Sequence, residues 1–171
     1  MDNGWAWVED GAGLDLFVRD LALCLSVHRD RSPALVWPDG VDTVLAGMRG
    51  VPRQRADAEL PGVAAGTADL TTGLGELLGC RVGSRYVTLP TGAEGPATAA
   101  TDLVVLPVLG GCAGRVDPAP PGRARAALTR ALEVRLRVGE ALYVPRGFGY
   151  TLAGTRSPCT LLVLALHPPS W

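Results

Sequence analysis

From residue 80 onward, short apolar segments alternate with turn signals, and this punctuation limits the fold more than any other feature of the chain. Arg81-Val82 and Arg85-Tyr86-Val87-Thr88-Leu89 read as strands, Gly92 to Gly95 as a loop, and Leu103 to Leu109 as a continuous apolar strand broken by Gly110-Gly111. Pro120-Pro121 predicts a helix running through Leu132, with Pro121 suited to the first turn. Val134-Arg135-Leu136-Arg137-Val138 alternates strictly, as a half-buried strand does. Gly139-Glu140 is a turn, Ala141 to Val144 a strand, Pro145-Arg146-Gly147 a turn and Tyr150 to Leu152 a strand. Ser157-Pro158 then redirects the chain into a last strand, Thr160 to Leu166. Many short strands at close spacing, with no internal repeat, predict a β-sandwich or barrel.

The first 79 residues read differently. Leu14, Phe17, Val18, Leu21 and Leu25 recur at helical spacing over residues 13–27, and Asp15 and Arg19 stand at i,i+4. Pro33 starts an extended piece, Ala34 to Trp37, and Pro38-Asp39-Gly40 is a turn signal. A short helix is expected from Val41 to Met48, irregular chain over residues 51–68, and a second short helix from Leu70 to Leu78. Thr71 or Thr72 would cap that helix and Gly79 would stand at C′. The expectation is one compact domain, with residues 1–79 as a helical region packed on a barrel of residues 80–171 that carries a helical insertion near 120–133.

Composition excludes several chemistries. All 16 basic residues are Arg, Ile is absent, and the only histidines are His28 and His167. The missing Lys, Ile and all but one Asn point to a GC-rich, bacterial source. Without Lys there is no Schiff base and no phosphate-loop lysine. Two histidines cannot build a three-histidine centre. The net charge of −1 offers no general case for nucleic acid or membrane. The sign is uneven, with 8 Arg against 12 acids in residues 1–85 and 8 Arg against 5 acids in residues 86–171. Solvated faces explain this best; an anionic partner, or the acidic half of a second copy, is the sharper reading. Cys24, Cys80, Cys112 and Cys159 show no CxxC spacing and read as buried small hydrophobes of a reduced, cytoplasmic protein. The N-terminus, Met1-Asp2-Asn3-Gly4-Trp5, lacks the apolar stretch of a signal peptide, and no run is long enough to span a bilayer.

The segment Leu136 to Tyr150, LRVGEALYVPRGFGY, resembles the second conserved motif of cupins, and more closely that of the JmjC-type, ribosomal-oxygenase-like branch. A Gly-acid hairpin reverses the chain, an apolar strand enters the barrel wall, Pro145 stops pairing, and Gly147 permits a tight bend. Arg85 to Gly95 is similar to that branch's N-x-Y-x-T-P-P-G-x-Q-G segment, and Asp102-Leu103-Val104-Val105-Leu106 to its D-V-F-V-L-Q strand. The early helices fit its N-terminal region, and the tail from His167 to Trp171 resembles the end of its final strand. The resemblance implies a mainly β fold, a double-stranded β-helix with an N-terminal helical region. It also implies where Fe(II) and 2-oxoglutarate would bind. The H-x-D ligands fall on Ala97 and Ala99, the later His on Tyr150, and the 2-oxoglutarate-anchoring Lys near Cys112, with the neighbouring Trp near Gly114 and the strand Gln on Pro107. Alanine has no donor, and neutral tyrosine is a poor one for Fe(II). Neither a metal nor another cofactor is therefore expected.

Residues expected to face the barrel mouth are Tyr86, Thr88, Thr98, Thr101, Cys112, Arg146, Phe148 and Tyr150, all but Cys112 as ligand-binding candidates. Tyr150, Glu94 and Cys112 are the catalytic candidates: a strand phenol, a loop carboxylate and a thiol beside two glycines. Each has a plainer reading as a packed aromatic, a solvated acid or an inert buried thiol. Arg146 suits a carboxylate or a structural role in its turn. His28 suits a helix C-terminus, and His167 a surface or interface. Trp5, Trp7 and Trp171 either cap the barrel or form an interface, with a second copy or another protein. Two functions follow. One is a catalytically degenerate JmjC-like cupin, a scaffold or binding subunit for a small molecule or peptide, partnering an active relative in bacterial secondary metabolism. The other is a metal-independent cyclase, isomerase or dehydratase of natural-product biosynthesis that uses the barrel mouth.

Overall fold

The structure, a computed structural model, describes residues 9–49, 63–64, 66–92, 95–122 and 130–169. Among the described residues, three helices, α1 (Glu9–His28), α2 (Val41–Met48) and α3 (Ala68–Leu78), precede most of the strands. β1 (Ala34–Val36) lies between α1 and α2, and after α3 come β2 (Arg81–Leu89), β3 (Gly95–Thr98), β4 (Asp102–Leu109), β5 (Cys112–Val116), β6 (Leu132–Leu136), β7 (Ala141–Val144), β8 (Gly149–Gly154) and β9 (Cys159–His167). All strand pairs are antiparallel, in a five-stranded sheet of order β1-β7-β4-β9-β2 and a four-stranded sheet of order β3-β8-β5-β6.

The five-stranded sheet is covered on both faces. On one side Phe17, Leu21 and Leu25 of α1, Val44 and Met48 of α2 and Leu70 and Leu74 of α3 bury against Val104, Leu106, Tyr143, Leu162 and Leu164. On the other side Leu103, Val105, Leu142, Val144, Leu161 and Val163 meet Cys112, Val116 and Leu136 of the four-stranded sheet. That is why β4, β7 and β9 read as unbroken apolar runs, while β6, with one wet face, alternates. Each fully buried Leu contributes on the order of 2 kcal/mol of apolar transfer.

The turns follow the sequence logic. The Gly139-Glu140 turn carries the chain from one sheet to the other and closes no hairpin, because β6 pairs with β5 and β7 with β1 and β4. In it Gly139 has φ +94°, the Glu140 carboxylate accepts the Arg137 N–H at 2.8 Å, and the Glu140 N–H donates to the Arg137 carbonyl at 3.0 Å. Gly147 adopts φ +86° in the β7–β8 bend, a conformation that costs a side-chain-bearing residue more than glycine.

Several expectations are corrected. Cys112–Val116, to which the sequence assigned no element, is a strand, and it pairs with both β6 and β8. β3 also forms, at the sheet edge where Pro96 can be accommodated. The helix expected to run through Leu132 does not reach that residue, because β6 starts there; residues 123–129 lie outside the described residues. α3 begins at Ala68, two residues before the expected Leu70, and its N-cap is Thr67 rather than Thr71 or Thr72. The Thr67 hydroxyl is spent on the Ala64 carbonyl and on Ser84 Oγ of β2, at 2.7 and 2.6 Å. Asp15 and Arg19 form no ion pair among the described residues; Asp20 instead accepts the Asp39 N–H at 2.8 Å and ties α1 to the turn before α2.

Candidate functional site

Strand register decides what faces inward. On β2 the residues opposite β9 run Arg81↔His167, Gly83↔Ala165, Arg85↔Val163 and Val87↔Leu161. Val87, Leu161 and Val163 pack into the core between the sheets, so this whole row faces the barrel interior. The alternate row, with Tyr86 and Thr88, faces the other way. Tyr86 packs against the helix-sheet core, where burial pushes its phenol pKa up. The expectation that Tyr86 and Thr88 face the mouth is therefore corrected by one residue of alternation.

At the open end of the barrel lies a cavity of about 710 Å³. Its lining includes Arg81, Arg85, Thr98, Tyr150 and His167, above an apolar floor of Leu103, Val163 and Ala165. Thr101 also lines it, with its hydroxyl donating to the Leu166 carbonyl across the β4–β9 pair. Thr98, Thr101 and Tyr150 are thus brought together. Arg146 does not line this cavity; its exposed side chain leaves, and its backbone N–H donates to Asp102 at 2.9 Å. Phe148 is fully buried in the core between the sheets, not in the mouth.

Cys112 is also fully buried, hydrogen-bonded to the thiol of Cys159, and donates to the Ala113 carbonyl at 3.3 Å. The bond to Cys112, together with burial, holds Cys159 protonated far above the ordinary thiol range. The thiol pair is a core contact between the two sheets. Glu94, Trp5, Trp7 and Trp171 lie outside the described residues. His28 ends α1, with Nδ1 3.1 Å from Ser32 Oγ. The residues sequence reasoning missed are Arg81, Arg85 and His167. The signal was there: Arg81, Gly83 and Arg85 occupy the phase of β2 that Val87 and Leu89 carry into the core.

The positions that the resemblance assigns to metal ligands converge. Ala97 of β3 is the register partner of Tyr150 of β8. Two residues on, the Ala99 N–H donates to the Phe148 carbonyl at 3.0 Å and the Ala99 carbonyl accepts the Gly147 N–H at 2.7 Å. Neither alanine has a donor atom, and among the described residues no three His, Cys, Asp or Glu side chains stand close enough to share an ion. These residues do not fit Fe(II).

A buried polar knot lies behind the site. Asp102 opens β4 and is buried; its Oδ1 accepts the Tyr143 hydroxyl at 3.2 Å as well as the Arg146 N–H, and its Oδ2 lies 3.3 Å from Arg29 Nε at the end of α1. Burial first, and the Asp102 charge second, push the Tyr143 phenol pKa well up. On the outer face of the four-stranded sheet Arg115 pairs with Asp117 and Glu133, each at 3.3 Å, so this part of the C-terminal Arg excess is locally compensated.

Two antiparallel sheets closed over one core, with an open mouth and a glycine-bent β7–β8 motif, define a double-stranded β-helix of the cupin kind. Comparison with known proteins places the arrangement further. No family model matches the chain, and no curated protein matches it. Among solved structures, the ribosomal oxygenase YcfD from Escherichia coli, in complex with cobalt and succinic acid, matches with a TM-score of 0.60 and 14% identity over 88% of this chain and 52% of that one. A further structure of the same Escherichia coli oxygenase matches with a TM-score of 0.54 and 15% identity over 85% of this chain and 51% of that one. RmlC from Streptococcus suis, in complex with dTDP-D-xylose, overlaps in part, with a TM-score of 0.44 and 12% identity over 53% of this chain and 45% of that one. The chain has a JmjC-like cupin fold, including the N-terminal helical layer, and spans about half the length of the ribosomal oxygenase it matches. Among the described residues no helix is long and apolar enough to cross a membrane.

Proposed function

We propose that this chain is a binding module built on a JmjC-like cupin barrel, one that has kept the mouth and lost iron- and 2-oxoglutarate-dependent chemistry. The observation that carries the reading is the Ala97–Tyr150 pairing beside a retained cavity of about 710 Å³. The barrel geometry persists where the ligand atoms do not. A cavity of this volume lies within the range of small-molecule sites. Placement of the Cys112 thiol in the core, away from the mouth, favours binding over nucleophilic catalysis. In such a role the chain holds a small molecule or peptide segment, alone or beside an active relative.

The test loads the purified protein anaerobically with Fe(II) and 2-oxoglutarate. Iron retained after gel filtration and succinate formed on admitting oxygen are then measured. The expected result is substoichiometric iron and no succinate above the protein-free control. Stoichiometric iron, or sustained succinate production, overturns the reading.

A further inference from the structure

The inward row of β2 changes character along its length. Val87 and the neighbouring residues of β9 are apolar and belong to the core, but toward the mouth the same row carries Arg85, Gly83 and Arg81. No Asp or Glu is found among the described residues that line the cavity. The ion pairs present among the described residues involve Arg29 and Arg115, and neither Arg81 nor Arg85. Among the described residues, two guanidinium groups thus stand in an apolar-floored mouth without a counter-charge. Their Cα atoms are four residues apart on one strand, roughly 13 Å. Between them lie Gly83 and its register partner Ala165, so the floor between the two cations has nothing larger than a methyl group. Beside that floor stand Leu103 and Val163.

We propose that the mouth recognises a dicarboxylate with an apolar spacer, one carboxylate on Arg81 and the other on Arg85, the spacer lying over Gly83 and Ala165. This rests on the binding reading above and names its ligand class. Guanidinium is planar and presents paired donors that match a carboxylate bidentately. The apolar spacer gains by covering Leu103 and Val163, and Gly83 places no side chain beneath it.

The test is calorimetric titration of the full chain with suberate, octanoate and 1,8-octanediol, a series of similar length that carries two, one and no carboxylates. Suberate is expected to bind most tightly, with each carboxylate removed weakening binding about tenfold. R81Q and R85Q should each weaken suberate binding about tenfold. Their melting temperatures should match the parent, since both side chains are exposed. Amide shifts on suberate addition should centre on Gly83 and Ala165. If octanediol or octanoate binds as tightly as suberate at these amides, the mouth is a binding site and the dicarboxylate assignment falls. If suberate binding is indifferent to both substitutions, the assignment also falls. If none of the three probes shifts the mouth amides, this inference falls, while the binding reading still stands or falls on the iron and succinate measurements.

Discussion

Arg29 at the end of α1 and Asp102 at the start of β4 meet at 3.3 Å, and this contact ties the helical layer to the barrel. Asp102 also takes the Tyr143 hydroxyl and the Arg146 N–H, so one carboxylate joins α1, β4, β7 and the β7–β8 bend. Removing it leaves donors from three elements without an acceptor. Asp102→Ala should lower stability by about 3 kcal/mol, a loss typical of breaking a buried charged pair, whereas Arg29→Gln should cost about 1 kcal/mol because Arg29 keeps access to water. Urea denaturation midpoints at constant m check both. Equal costs would mean that the knot does not act through Asp102.

Tyr143 links stability to alkaline pH. Its folded-state pKa is raised above the unfolded phenol value of about 10. Between the two values the folded state holds a proton that the unfolded state has released. The contribution is therefore fully present below about pH 10 and is lost as pH rises from there. The slope expected from one such group is about −1.4 kcal/mol per pH unit. Tyr143→Phe should be less stable than the parent at pH 8 and should show a shallower decline above pH 10. Parallel curves would show that Tyr143 titrates freely when folded.

Phe148 and Tyr150 separate core from mouth. Phe148 is fully buried between the sheets and Tyr150 is half-buried at the cavity. Phe148→Ala should cost about 3 to 4 kcal/mol through cavity formation, and Tyr150→Ala about 1 kcal/mol. Thermal melts of the two variants decide it, and a more damaging Tyr150→Ala would reverse the assignment.

Gly40 stands at φ +73° before α2, with Gly13 of α1 against it; a Cβ there would run into the Gly13 carbonyl oxygen. Gly40→Ala combines a left-handed backbone with overpacking and should cost about 2 to 4 kcal/mol. Gly79, at φ +62° with open space around it, carries only the backbone part, about 1 kcal/mol for Ala. Comparing the two denaturation midpoints isolates the α1–α2 contact.

The sequence made much of the fold legible because its signals are local. The buried stripe of α1, the Pro38-Asp39-Gly40 turn, Gly79, the Gly139-Glu140 turn and the Pro145–Gly147 bend each follow from a few adjacent residues, and each stands in the structure, although the Gly139-Glu140 turn links the two sheets and closes no hairpin. β5 and β3 were not legible. Glycine-containing Cys112–Val116 and proline-containing Gly95–Thr98 have weak intrinsic strand preference and become strands only because β6 and β8 pair with them. The site was legible by residue type but not by direction. Thr98, Thr101 and Tyr150 reach the mouth, while Tyr86, Thr88 and Phe148 do not.

The sequence alone determined the strand-rich second half, the helical layer before it, the resemblance to JmjC-like cupins and the lack of donor atoms at Ala97 and Ala99. These depend on side-chain chemistry and short-range periodicity. Only the tertiary structure decided that Ala97 faces Tyr150, that Asp102 joins the helices to the barrel, and that Arg81, Arg85 and His167 share the mouth. The physical reason is register. In a strand of period two, a shift of one residue exchanges the two faces, and β2 takes its phase from nine paired positions on β9, about 80 residues away in the chain.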